Sequence, residues 1–244
     1  MKHIMVMLIL TLLVSSTWAG MFRDDFNDRD LKGWTFVQDA EDGGIQKDEL
    51  VLGSRKSTVI IAVDGVVARD YEVAVSVKIR KLVSGPIANG LLIGLRAQAL
   101  RENENHPLDQ YDLAYNFLIG RNADKTKGLG AAIWHVGDLL PRRRGGQRVL
   151  IVQKVLKFSP FNVQLDTWYR LKVIAKGNRF QVFVDEEKML DFLDNTYTEG
   201  RIYLSGGGGN IAHFNDFEAQ WDDLAVQDRR KLTTTWGQIK RSVR

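Results

Sequence analysis

Cysteine is absent from this 244-residue chain. That excludes a disulfide scaffold, a thiolate metal site and a cysteine nucleophile together. Histidine and proline are also scarce, at 4 each. His3, His106, His135 and His213 show no zinc-site spacing, and the few prolines announce no hinge between domains. No stretch reaches the roughly 18 to 20 consecutive apolar residues of a spanning helix, so the chain is expected not to be transmembrane. What remains is ordinary: 44% hydrophobic and 26% charged residues. Such a composition argues for a globular protein and against disordered or collagen-like classes. The length suits one large domain, since a single all-β domain reaches about 200–250 residues.

The N-terminus has the order of a secretory signal. Lys2 and His3 precede an apolar run from Ile4 to Val14, interrupted only by Thr11, and Thr17-Trp18-Ala19 offers small residues at a cleavage position. The run is too short to span a bilayer, and no cysteine follows it to carry a lipid. The expectation is residues 1–19 as signal peptide, cleaved near Ala19, and a secreted or periplasmic mature chain.

The formal charge of +4 is unevenly spread. Pro141 to Lys157 holds six basic residues and no acid, and Arg229 to Arg244 holds six more without an acid. Setting these twelve and Lys2 aside leaves 21 basic against 30 acidic residues, net −9. The body is therefore acidic with two basic additions. Four arginines between Pro141 and Arg148 can grip sulfate or carboxylate bidentately, although an exposed solvating loop has the same composition. Export and the lack of interleaved aromatics speak against nucleic acid.

Period-two alternation dominates the body. Tyr71, Val73, Val75, Val77 and Ile79 alternate with polar or small residues, as in a half-buried antiparallel strand. Leu91 to Ala97, Tyr111 to Ile119, Leu129 to Val136, Trp168 to Ala175, Phe180 to Val184, Gly200 to Ser205 and Ala212 to Ala219 read as further strands. Gly177-Asn178 marks a hairpin and supplies positive φ, and Trp168 is expected to bury its indole in the core. Many short strands at regular spacing imply a two-sheet antiparallel sandwich, a jelly roll.

Three runs carry a family resemblance. Phe22-Arg23-Asp24-Asp25-Phe26 with Gly33-Trp34 resembles the opening strand of the concanavalin A-like lectin/glucanase superfamily. Trp168 to Val173 with Gly177-Asn178 and Val182 to Asp185 resembles its hairpin, and Gly200 to Leu204 with His213 to Phe217 its closing strands. Within that superfamily the chain is most similar to laminin G-like modules and the 3-keto-disaccharide hydrolase-like (glycoside hydrolase-like) domain. The resemblance covers about Met21 to Val226. It divides the chain into a signal peptide (1–19), an all-β jelly-roll domain (21–226) and a basic tail (227–244).

The resemblance implies a glycan or polysaccharide ligand on the concave sheet face. If Leu91, Ile93, Leu95, Tyr115, Phe117 and Ile133 face the core, then Arg96, Gln98, Asp112, Asn116 and Trp134 face outward together. An indole platform, a guanidinium, an acid and two amides suit a sugar ring through stacking and directional hydrogen bonds; an ordinary solvated sheet face is the plain alternative. The paired carboxylates of glycoside hydrolysis are missing from any strand. Asp112 is the one candidate acid or base, and Ala114 stands where the resemblance implies an amide. Glycan binding is therefore the leading function, with glycoside hydrolase-like catalysis through Asp112, or a structural or adhesive module, as alternatives. No cofactor is required; a structural Ca2+ between the first and last strands is what the resemblance would add, on Asp25 and Asp216, with strand-end carboxylates lacking metal as the plain reading. In the tail, Leu232, Trp236 and Ile239 share a helical face flanked by basic residues, which suggests docking on an acidic surface of this chain or of an envelope partner.

Overall fold

The computed structural model describes residues 20–38, 40–53, 58–81, 89–98, 114–121, 129–136, 153–207 and 210–222; for 38, 58, 89–92, 120–121, 129–136 and 153–155 it describes the backbone alone. The signal peptide, Asp112, the arginine-rich loop and the basic tail lie outside the described residues. Fifteen strands run in chain order. They are β1 (Gly20–Asp24), β2 (Trp34–Gln38), β3 (Gly43–Gln46), β4 (Glu49–Leu52), β5 (Thr58–Val63), β6 (Tyr71–Lys81), β7 (Asn89–Ala97) and β8 (Ala114–Arg121). There follow β9 (Leu129–Val136), β10 (Gln153–Pro160), β11 (Trp168–Lys176), β12 (Arg179–Val184), β13 (Glu187–Leu193), β14 (Arg201–Gly207) and β15 (Ile211–Trp221). No helix among the described residues is long and apolar enough to cross a membrane.

The strands form two antiparallel sheets. The first has the order β13-β12-β11-β6-β15-β4-β3, with β1 also paired to β15, and the second β10-β9-β8-β7-β14-β5-β2. Neighbours distant in sequence, such as β6 with β15 and β7 with β14, make this a jelly-roll sandwich rather than a meander.

Alternation explains the core between the sheets. On β6, Tyr71, Val73, Val75, Val77 and Ile79 are fully buried and the intervening residues half-buried. Leu171, Val173, Phe180 and Val182 join them from the first sheet, and Ile61, Ile93, Tyr115, Phe117 and Leu204 from the second. The opening motif is core as well. Trp34 packs edge-on against Phe22 and Phe217, at 5.4 and 4.8 Å between centroids, and donates its Nε1–H to Asp24 Oδ2 at 2.7 Å. The hairpin between β11 and β12 turns through Gly177 and Asn178, with only Gly177 left-handed. Trp168 departs from expectation: the phase of β11 gives the core position to Tyr169, and the indole lies 39% exposed on the opposite face beneath the Lys78 ammonium.

A second departure has larger consequences. Tyr203 of β14 pairs with Gly94, but Arg201 pairs with Ala97, so β7 carries an extra residue. Arg96 sits at this bulge with φ of 50°. The bulge breaks the alternation. Leu95 belongs to the main core, Arg96 is wholly buried, and Ala97 packs in a separate cluster with Ala62, Ala114 and Tyr203. The Arg96 guanidinium donates Nη1 to the Tyr197 carbonyl at 2.9 Å, and Nη2 to the carbonyls of Arg69 and Gly177 at 2.9 and 2.6 Å. It also lies 4.7 Å over the Phe180 ring.

Replacing Arg96 with methionine leaves three carbonyls without their donor. The expected loss is about 3 kcal/mol or more, because an unsatisfied buried polar group costs ~1–3 kcal/mol. Urea unfolding of Arg96→Met measures it; a change under ~1 kcal/mol would show that water satisfies the carbonyls instead.

Candidate functional site

The five residues expected to share one outward face are not brought together in that form. Arg96 turns inward because the bulge reverses its side, which corrects the expectation that it faces solvent. Gln98, at the end of β7, spends its amide nitrogen on the Arg96 and Glu199 carbonyls at 2.8 and 2.6 Å, leaving Oε1 as an acceptor. Asn116 does lie on the side of the second sheet away from the core, yet it is only 3% exposed and accepts a hydrogen bond from the Tyr203 hydroxyl. Trp134 stands directly across from Asn116 in the β8–β9 register.

The outer face of the second sheet is built in cross-strand rows. One row runs Thr35, Ala62, Tyr203, Gly94, Asn116 and Trp134 across β2, β5, β14, β7, β8 and β9. Gly94 is what lets Tyr203 reach its partner: a Cβ there would overlap the tyrosine ring. With no side chain between them, the ring lies across β7 and its hydroxyl meets Asn116 Oδ1. Ser205 stands two residues farther along β14 on the same face. It is 1% exposed, and its Oγ has no hydrogen-bond partner. Short side chains at Ala62, Ala97 and Ala114 surround these polar groups. The arrangement is a buried layer of small residues carrying one satisfied hydroxyl–amide pair and one unsatisfied hydroxyl. Tyr203 and Ser205 were legible in principle, as the residues between Ile202, Leu204 and Gly206 on an alternating strand.

Asp25 and Asp216 meet in a different place. Both line a cleft at one end of the first sheet, with Asp24, Asp28, Glu218 and Arg170 among its other walls. Burial raises the pKa of Asp24, with its hydrogen bonds from Phe26 and Trp34 opposing and the nearby Asp28 and Asp25 adding to the rise. Asp25 is held below the usual carboxylate range because both its oxygens accept from Asn27, at 3.1 and 2.9 Å. The Asp216 carbonyl accepts from Arg170 Nη1 at 2.5 Å. Among the described residues no three acidic or imidazole groups stand close enough to enclose a metal ion.

His213, without a zinc partner, is bound to Glu49 on the outer face of the first sheet, at 2.5 Å from Nδ1 to Oε2. Lys78 Nζ donates to the same carboxylate at 2.9 Å.

The fold and its paired faces define a concanavalin A-like jelly-roll domain. The chain belongs to the 3-keto-alpha-glucoside-1,2-lyase-like domain family, whose model matches residues 21–226. No curated protein sequence matches it significantly. Solved structures share the architecture at low identity. The carbohydrate-binding module CBM66 from Bacillus subtilis is 15% identical with a TM-score of 0.55, covering 77% of this chain and 95% of that one. A family 16 glycoside hydrolase from Bacteroides ovatus, solved with a G4G4G3G product, is 16% identical with a TM-score of 0.51, covering 81% and 98%. The exoplasmic/lumenal domain of VIP36 in its Ca2+/Man-bound form is 12% identical with a TM-score of 0.54, covering 78% and 83%. These likenesses establish the fold.

The Glu49 cluster predicts a pH dependence. Burial pushes this carboxyl up, but hydrogen bonds from Lys78 and His213 outweigh it and hold it below its ordinary 4.5. A depressed folded-state pKa contributes stability that is present above the unfolded value and lost as pH falls through the folded one. Glu49→Gln should therefore flatten the stability loss below about pH 4.5. Thermal melts of both proteins between pH 3 and 6 test this; parallel profiles would remove Glu49 as a contributor.

Proposed function

We propose that this domain binds a glycoside on the outer face of the second sheet, with Asn116, Tyr203 and Ser205 as its polar floor. The observation that carries the reading is the Ser205 hydroxyl, buried on that face without a partner while its neighbours Tyr203 and Asn116 are paired. A buried hydroxyl left unsatisfied costs free energy in the empty domain; with Ser205 only 1% exposed, a sugar hydroxyl recovers that cost by displacing the groups that cover it. Gln98 supplies an acceptor at the rim. Trp134, across from Asn116, supplies the aromatic residue on which the C–H face of a sugar stacks. Family membership supports glycoside chemistry as the ligand class.

Ser205→Ala should leave the empty domain as stable or up to ~1 kcal/mol more stable, since the variant removes a buried hydroxyl that has no partner. The same variant should weaken glycoside binding, and Trp134→Ala should weaken it by roughly 1–3 kcal/mol without unfolding the domain. Calorimetry on hits from a glycan array reads both effects. Wild-type affinity in the two variants would remove this face as the site.

Family membership also supports a second reading, lyase or hydrolase action on a 3-keto-glucoside, with Asp112 as acid or base. Incubating the protein with a 3-keto-glucoside and following release of the aglycone decides it. Turnover abolished by Asp112→Asn supports catalysis, and no turnover leaves a binding module.

We infer that the domain acts outside the cytoplasm. Residues 1–19 have the order of a signal peptide, and β1 takes up the chain at Gly20, which pairs with Trp221. N-terminal sequencing of the native protein should begin near Gly20; a start at Met1 would overturn export.

A further inference from the structure

The outer face of the first sheet holds a pit of about 200 Å³ that shares no residue with the proposed glycoside face. Its floor is Ala74 on β6. Register places Glu218 of β15 and Lys172 of β11 directly on either side of this short side chain. Arg170 and Glu72 on the flanking rows, Gln220, and Glu186 from the turn between β12 and β13 complete the wall.

Most of these charges are already paired. Lys172 lies 3.8 Å from Glu72, and Glu218 accepts from Arg23 at 2.9 Å and from Gln220. Two are not. Arg170 uses Nη1 alone, donating to the Asp216 carbonyl at 2.5 Å and to Ser76 Oγ at 3.3 Å, and forms no ion pair among the described residues. Burial lowers its pKa, with the fields of Asp216 and Glu218 opposing that shift. Glu186, exposed at the rim, forms no ion pair or side-chain hydrogen bond among the described residues. Opposite charges thus face one cavity without touching each other.

The backbone holds them there. β15 is bulged between Asn215 and Glu218, with Asp216 at φ of 48°, and this presents the carbonyl that fixes Arg170. Asp185 and Glu186 are both left-handed, at φ of 48° and 71°, and Asp185 Oδ1 accepts the Arg170 amide at 2.7 Å. Asp185 and Glu186 are the two-residue turn of the β12–β13 hairpin and Asp216 lies at the β15 bulge, so ordinary turn and bulge geometry places these groups beside the pit.

We propose that this pit binds a small zwitterion, an α-amino acid, with its carboxylate on Arg170 and its ammonium on Glu186. A simple anion would satisfy Arg170 but meet a wall of three carboxylates against two bases. A simple cation would leave the half-buried guanidinium unpaired. No aromatic residue lines the pit to stack a sugar, and its volume lies below the ~300 Å³ at which drug-sized pockets begin.

The test is an NMR titration of the 15N-labelled chain with L-alanine at low ionic strength, with acetate and methylammonium as half-ligands. The expected result is saturable shifts of the Ala74, Lys172 and Glu186 amides, with each half-ligand at least about tenfold weaker. Glu186→Gln should weaken alanine binding about tenfold at an unchanged melting temperature, because that side chain supports no contact in the fold. Arg170→Gln should abolish it. No saturable shift at those amides, acetate binding as well as alanine, or indifference to Glu186→Gln would each overturn the proposal. The outcome is independent of the glycoside reading, which concerns the other sheet.

Discussion

The buried guanidinium of Arg96 is the interaction on which much else depends. It collects carbonyls from the β5–β6 connection, the β11–β12 turn and the β13–β14 connection, and so ties three links and both sheets at one end of the sandwich. Asp70 reinforces the knot: its Oδ1 accepts the Gly177 amide at 2.8 Å and lies 4.0 Å from the guanidinium. A cation in a core is costly unless its donors are met. Here carbonyls of irregular segments engage both terminal nitrogens of the guanidinium, while its buried Nε–H has no hydrogen-bond partner. The bulge in β7 is the geometric condition for this, because only a residue outside the regular alternation can enter the core from a position facing out.

The two sheets divide the surface in different ways. The outer face of the first is half-buried and crossed by ion pairs, Lys78 with Glu49, Lys172 with Glu72 and Arg23 with Glu218. The outer face of the second is buried in its own right, with Ala62, Ala114, Asn116, Leu118, Tyr203 and Ser205 at 3% exposure or less. A strand such as β8, buried on both sides, gives a nearly continuous apolar run rather than a clean alternation, and Ala114-Tyr-Asn-Phe-Leu-Ile does so. The residues that differ from this background are the polar Asn116, Tyr203 and Ser205.

One fold hosts lectins, binding modules and hydrolases, so the architecture alone does not separate binding from catalysis here. Family membership gives a carbohydrate-binding or glycoside hydrolase-like jelly-roll domain. The carboxylates of Asp24 and Asp25 at the start of the domain are engaged by their own loop and by Trp34.

The sequence by itself determined the fold class. Strict alternation on β6, β11 and β12 requires half-buried strands, Gly177 requires a tight turn, and the Phe22 to Trp34 motif reads as core because aromatics at that spacing cannot all be solvated. It also put Asn116 on the side away from the core, since a period of two survives wherever a strand is regular; the pairing of Asp25 with Asp216 was implied only by the family resemblance. Tertiary structure alone decided what irregularity changes. Nothing in Leu95-Arg96-Ala97 announces a bulge, yet one extra residue reverses Arg96 from the outer face to the core, and the phase of β11 likewise trades Trp168 for Tyr169. The unpartnered state of Ser205, and the juxtaposition of Arg170 with Glu186, are properties of pairs far apart in sequence. Side-chain direction follows from local pattern; which polar groups end without a partner follows only from how the sheets close.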